Sequence, residues 1–161
     1  MARNNVIGNQ GHLPWGRDMP SDIKRYTDLI QGNTIVMGSS TYGEADHSRS
    51  GSAVVVLSRT KMVLPEGVRL ANSVKDVLAL DSPDGEIFIT GGGHVFRLML
   101  EHARRLFLTV IDKDFSGDVF FPNVDEARWK LTEKQNFKRD RNNKYDYSFL
   151  TYEVREDFRP S

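Results

Sequence analysis

"EIFITGGGHVF", residues 86–96, passes from a short apolar, β-branched stretch through three glycines into residues spaced like one face of a helix, Val95, Leu98 and Met99. A strand that enters a helix through glycines lets backbone N–H groups approach a phosphate at the positive helix end, because no Cβ keeps the ligand away. Close packing of strand against helix explains the same glycines, and both readings stand at this point. The spacing is not that of the GxGxxG fingerprint, so an ordinary Rossmann domain is not supported.

Two further runs resemble the first. "NTIVMG" (33–38) and "AVVVLS" (53–58) are short and apolar on both faces, as buried strands of a mostly parallel sheet are. Helical patterns separate the runs: Ile23, Tyr26 and Ile30, then Val74, Val77 and Leu78. Alternating strand and helix gives an α/β class with flanking helices. Beyond about residue 106 the pattern changes. "LFLTVID" (106–112), "WKLTEKQNF" (129–137) and "YDYSFLTYEV" (145–154) read as strands, the last two closing an antiparallel hairpin on "KRDRNNKYD" (138–146). The basic residues of that turn, Lys138, Arg139, Arg141 and Lys144, are interrupted by Asp140 and are expected to be solvated. No repeat or linker interrupts the chain, so residues 1–161 are expected to form a single domain.

Composition narrows the function. Lysine plus arginine equal aspartate plus glutamate at 22 each, leaving no field to draw nucleic acid or an anionic membrane. There is no cysteine, which excludes disulfides, thiolate metal sites and a cysteine nucleophile. The histidines (His12, His47, His94, His102) lack the close spacing of a zinc pair, so no metal is expected. The N-terminal residues show no signal-peptide core and no run reaches membrane-spanning length. A cytoplasmic monomer acting on a small molecule is expected.

The candidate binding groups gather at strand ends. Gly38 is followed by Ser39, Ser40 and Thr41, which open a helix and offer hydroxyls and free N–H groups; simple N-capping is the alternative. Leu57, Ser58 and Arg59 close the next strand. Thr90, Gly91, Gly92, Gly93, His94 and Val95 close the third. Three such ends suit a dinucleotide lying across the edge of an open sheet. Asp22 is a lone carboxylate in the first turn of the helix that follows "HLPWGRDMPS" (12–21). Such a residue can simply stabilise the helix N-terminus through the dipole and the free N–H groups; with Ser21 available as the cap, the other reading is a carboxylate partnered by a planar heterocycle presenting an amidine-like N–H pair.

These residues resemble the dihydrofolate reductase family. "NNVIGNQGHLPW" (4–15), Asp22, "TIVMG" with Thr41, "VVVLSR", "ITGGGHVF", "LTVID" and "GDVFFP" (117–122) occur in that family's order and approximate spacing, over nearly the whole chain. The resemblance implies its three-layer fold and an NADPH-dependent reduction of dihydrofolate to tetrahydrofolate. It implies that Asp22 bonds the pterin 2-amino group and N3 and favours protonation at N5, with Thr109 bonding this carboxylate. It places Trp15 at the base of a mobile loop, residues 8–16, and Asp118 in a loop that braces it. It puts Ile23, Tyr26 and Ala45 with Asp22 and Thr109 around the substrate. Ile7 joins the strand-end residues around the cofactor, with Gly92 and Gly93 as pyrophosphate cradle, Thr41 as a further phosphate contact, and Ser58 and Arg59 at the adenosine end.

Four departures qualify this. The family begins with a strand before "VIG", of which only Met1 to Asn5 stand in this sequence, so either its wall of the pocket is incomplete, or another segment fills it, or the natural start lies upstream. Ser39 replaces a basic residue at the 2′-phosphate, leaving that task to Arg59 and the hydroxyls and making NADPH over NADH less secure. Ser52 replaces the arginine that clamps the folate glutamate, a task Lys24, Arg25 or Arg49 would inherit. "WGRDMPSD" is about two residues longer than in shorter relatives. A riboflavin-pathway reductase of the same fold and a non-catalytic nucleotide- or pterin-binding homologue are the alternatives. The first does not require the LPW loop followed by Asp22; the missing strand favours the second, and retention of Asp22, Thr109, Trp15 and the glycine cradle argues against it.

Overall fold

A computed structural model describes residues 1–44, 51–82 and 85–159. It divides into two compact units, Lys24–Met99, and Met1–Ile23 together with Leu100–Ser161.

The unit Lys24–Met99 is built on a four-stranded parallel sheet in the order β4-β3-β2-β5. Its strands are β2 (Thr34–Gly38), β3 (Ala53–Leu57), β4 (Arg69–Ala71) and β5 (Ile87–Gly91). The apolar runs are strands for the expected reason. Val36, Val55 and Val56 are fully buried, and each such side chain contributes about 1.5–3 kcal/mol on leaving water. One face packs Val36, Val55 and Ala71 against Val77, Val95 and Met99, from the helices α3 (Val74–Leu78) and α4 (Gly93–Met99). The other gathers Ile35, Met37 and Val54 with Ile30, the last residue of α1 (Pro20–Ile30). Ser73 caps α3 by accepting the Asp76 N–H. The residues after Gly38 form α2 (Ser39–Glu44), as their hydroxyls suggested.

The other unit contains a ribbon of β1 (Val6–Gly8) with β7 (Val119–Phe120), and an antiparallel sheet in the order β6-β9-β8. These strands are β6 (Arg105–Ile111), β8 (Trp129–Phe137) and β9 (Tyr147–Val154). The expected hairpin β8–β9 is present. Its core holds Ala2, Val6, Trp15, Met19, Ile111 and Tyr147, with Phe137 stacked on Tyr147 at 4.9 Å. Met1 to Arg3 run beside the end of β6: the Met1 carbonyl accepts the Ile111 N–H at 2.9 Å and the Arg3 N–H donates to the Lys113 carbonyl at 3.1 Å. The short N-terminal stretch therefore occupies part of the expected first-strand path. The residues after Val154 form a 3-10 turn, Glu156–Phe158, whose Phe158 ring lies 5.5 Å from the Arg128 guanidinium. No helix among the described residues is long and apolar enough to cross a membrane.

Candidate active site

Parallel register brings the cofactor candidates to one sheet edge. Gly38 pairs with Leu57, and Met37 with Gly91, so the carboxyl ends of β2, β3 and β5 finish together. Ligands of open α/β sheets bind at such an edge. The β2–β5 register slips between Val36 and Met37, and this places Thr90 as the extra residue of a bulge. Its hydroxyl donates to the Val36 carbonyl at 3.3 Å and also bonds Tyr26. Burial holds the Tyr26 phenol above its ordinary range, partly offset by that bond.

The glycines of "TGGGH" divide between the two readings left open by their sequence. A Cβ on Gly38 would stand 3.1 Å from Val95 Cγ2, and one on Gly91 would stand 2.8 Å from the Phe96 ring. Those two glycines serve close packing, and Gly91, at φ 109°, also occupies backbone space that side chains disfavour. Gly92 differs. Its missing Cβ leaves open the space before the Thr41 hydroxyl, 3.1 Å from where that atom would be. The peptide Gly91–Gly92 is cis, Gly93 starts α4 and is buried with Val95, and His94 is exposed. Gly92 and Thr41 thus make a cradle suited to a phosphate oxygen, and the residues fit a dinucleotide. At the neighbouring strand end, Leu57 is half-buried. The Ser58 hydroxyl turns the chain by accepting the Thr60 N–H at 3.2 Å, and Arg59 stands exposed. Ser39 is half-buried and Ser40 exposed.

Ser52 has its own task. Its hydroxyl donates to the Ile30 carbonyl at 2.7 Å, closing the end of α1. Ala45 and Arg49 lie outside the described residues.

The unit Met1–Ile23 with Leu100–Ser161 places the pterin candidates. Asp22 sits in the first turn of α1, half-buried, with its N–H on the Met19 carbonyl at 3.1 Å. Thr109 is 8% exposed in β6, and its carbonyl accepts from the Met1 ammonium. Burial lowers that amine to about 6, and the Asp22 charge opposes the shift. The Thr109 carbonyl and the Asp22 charge thus both act on this amine, the first through a hydrogen bond and the second through its field. Ile23 is exposed and Ile7 half-buried in β1. Trp15 is buried, edge-on to Phe115 at 5.9 Å, and its Nε1 is a buried donor with no partner among the described residues. A buried donor without an acceptor costs about 1–3 kcal/mol, so a ligand-side acceptor suits this position.

Asp118 braces residues 8–16. Its N–H donates to the Gly8 carbonyl at 3.0 Å and its carboxylate accepts the Gln10 N–H at 3.2 Å. One expectation fails at Ser21. It is not the cap of α1: Pro20 precedes it inside the helix, and the Ser21 N–H is itself capped by Asn143 Oδ1 at 3.1 Å. The basic residues of the turn 138–146 are exposed, as expected, and two of them are also tied down, Lys144 to Asp18 at 3.0 Å and Lys138 to Asp146 at 2.9 Å. Sequence reasoning missed Asn143, because an asparagine in a polar turn carries no local sign of burial.

Comparison with known proteins agrees with this geometry. The family model for dihydrofolate reductase matches residues 1–154. The dihydrofolate reductase of Bacillus subtilis (strain 168) is 33% identical over 153 residues, covering 95% of this chain and 90% of that protein. The type 3 dihydrofolate reductase of Salmonella typhimurium is 34% identical over 151 residues, covering 94% and 92%. A solved structure of the Enterococcus faecalis dihydrofolate reductase, complexed with NADP(H) and RAB-propyl, superposes with a TM-score of 0.87 at 30% identity, covering 97% of this chain and 93% of that one. Sequence, fold and the residues gathered at the strand ends together establish that the chain belongs to the dihydrofolate reductase family.

Proposed function

We infer that this chain reduces 7,8-dihydrofolate to 5,6,7,8-tetrahydrofolate with NADPH. The observation that carries the reading is Asp22, a carboxylate fixed in the first turn of α1 within a chain that belongs to this family along nearly its whole length. When bound, the nicotinamide supplies a hydride from C4 to pterin C6, and a proton reaches N5.

The chain's own residues orient, polarise and exclude water. Asp22 accepts the 2-amino group and N3 of the pterin in a charge-assisted pair, which fixes the ring and favours the protonated N5. Thr109 supports that carboxylate, and Trp15 offers Nε1 to a ligand-side acceptor. Ile23, Tyr26 and Ala45 complete the substrate's surroundings. Residues 8–16 close over the reactants, held by Asp118, and remove water that would weaken these interactions. Gly92, Gly93 and Thr41 hold the pyrophosphate, with Gly38, Ser39, Ser40, Thr90, Gly91, His94 and Val95 around it and Ile7 at the nicotinamide. Leu57, Ser58 and Arg59 hold the adenosine end.

Arg59 takes the 2′-phosphate in the absence of a basic residue at Ser39 and thereby selects NADPH. The reading takes residues 1–161 as one catalytic domain, monomeric and cytoplasmic, with no nucleic-acid partner; the balanced charge supports the last point. The test follows absorbance at 340 nm with NADPH or NADH, with and without dihydrofolate. Dihydrofolate-dependent oxidation of NADPH, faster than of NADH, is expected. Oxidation that ignores dihydrofolate overturns the reading.

A further inference from the structure

Asn143 is 3% exposed, although every residue from Lys138 to Asn142 in the same turn is exposed. All of its polar functions are used. Its N–H donates to Asp140 Oδ1 at 2.7 Å, and its carbonyl accepts the Asp140 N–H at 2.9 Å. Its Nδ2 donates to the Asp140 carboxylate at 3.3 Å, and its Oδ1 accepts the Ser21 N–H at 3.1 Å. The next residue repeats the tie. Lys144 donates its N–H to the Asp18 carbonyl and its Nζ to the Asp18 carboxylate, both at 3.0 Å. The β8–β9 turn is thus bonded to both Asp18 and Ser21, immediately ahead of Asp22.

The start of a helix leaves N–H groups without intrahelical acceptors, and a local side chain usually takes one of them. In α1 the arrangement is not local. Pro20 has no N–H, Asp22 bonds back to Met19, and Ser21 is served by an amide 122 positions away. Asn143 is the suitable residue because it must accept from Ser21 while donating to Asp140, and only an amide side chain of this length does both. The ionised Asp140 polarises that amide and strengthens its acceptor end. A hydrophobic contact would bury the turn without fixing a direction. Hydrogen bonds of defined geometry fix one.

We propose that Asn143 is a positioning residue for the reductase: through Ser21 it orients the first turn of α1, and with it the direction in which Asp22 meets the pterin. This rests on the reading of Asp22 given above. Misplacing a reacting group by about 1 Å costs on the order of a hundredfold in rate, so an anchor one residue away has leverage on turnover beyond its share of stability.

The test compares the parent, Asn143→Ala and the exchanged pair Asn143→Asp with Asp140→Asn, using full-length protein. The exchanged pair keeps an acceptor for Ser21 and a donor facing it. Readouts are kcat, KM for dihydrofolate, Kd for NADPH and hydrogen exchange at the Ser21 amide. For Asn143→Ala, kcat/KM for dihydrofolate falls at least tenfold, NADPH affinity stays within twofold and the Ser21 amide exchanges faster. The exchanged pair returns kcat/KM to within about threefold of the parent, which a merely structural loss does not predict. Parental kcat and KM in Asn143→Ala overturn the proposal, as does a loss that the exchanged pair leaves unrepaired. Should Asn143→Ala not fold, Asn143→Ser is read against the same parent, with the same loss expected and parental kinetics overturning the proposal. A parent without dihydrofolate-dependent turnover refutes the functional reading and this inference with it. A parent that turns over beside a variant with parental kinetics refutes the positioning role alone.

Discussion

The Asp118 carboxylate receives the Gln10 N–H at 3.2 Å while the Asp118 N–H reaches the Gly8 carbonyl at 3.0 Å, so one residue fastens the chain at two points where residues 8–16 begin. The bond to Gln10 is exposed to solvent, so its worth lies in ordering the loop more than in global stability. Asp118→Ala is expected to lower kcat about tenfold, with a change in Tm of no more than a few degrees. Stopped-flow and steady-state rates with NADPH and dihydrofolate check this, and an unaltered kcat removes Asp118 from loop closure.

Gly92 and Thr41 give a second test. A Cβ at Gly92 fills the space before the Thr41 hydroxyl, where a phosphate oxygen is expected. Gly92→Ala should raise the Kd for NADPH more than tenfold, read by quenching of protein fluorescence, with a smaller effect on dihydrofolate. Gly91→Ala behaves differently. There the φ of 109° and the Phe96 ring at 2.8 Å make the lesion one of stability, on the order of 1–3 kcal/mol by urea unfolding.

Ser52 stands where the family's glutamate clamp is expected, yet its hydroxyl donates to the Ile30 carbonyl. Ser52→Arg therefore makes two opposed changes. Loss of the bond costs about 1 kcal/mol of stability, and the guanidinium gains a bidentate grip on the folate carboxylate. Lower KM for dihydrofolate with a slightly lower urea midpoint is the expected pair of results. Unchanged KM means another cation already serves the glutamate.

Asp146 links pH to stability. The Arg139 N–H at 2.8 Å and then the Lys138 ammonium at 2.9 Å hold its carboxyl below the ordinary carboxylate range. A carboxylate depressed in the folded state binds fewer protons there than in the unfolded chain, so its contribution is complete above the unfolded value, about pH 4, and fades as pH falls through the folded one. Urea midpoints of the parent and Asp146→Asn should differ at pH 7 and converge in acid. A gap that persists at the lowest pH at which both fold contradicts this assignment.

Much of the fold was legible because its central strands are β-branched, apolar and punctuated by glycine or serine, as "TIVMG" and "AVVVL" show. β4 and β7 were not. At three and two residues they are too short for alternation to register, and Arg69 and Phe120 face solvent. That the candidates at Ser39, Arg59 and Gly92 follow strands ending at one edge was readable, because a parallel sheet brings successive strand ends together. Asn143 was not readable. Its role depends on a partner across the unit, and "RNNK" is equally suited to an exposed turn. Ser21 misled for the same reason: its identity is that of a cap, but the preceding Pro20 takes the helix start.

The central claim, that Asp22 is the pterin carboxylate of a working reductase, is tested most directly by the kcat of Asp22→Asn at neutral pH beside the parent, with NADPH binding measured on both. The substitution keeps the size, removes the charge and turns one of the two acceptor oxygens into an N–H donor. The parent should turn over dihydrofolate and the variant should lose at least a hundredfold in kcat with NADPH affinity intact, because the arrangement that favours protonation at N5 fails. Turnover in the variant equal to that of the parent would contradict the claim.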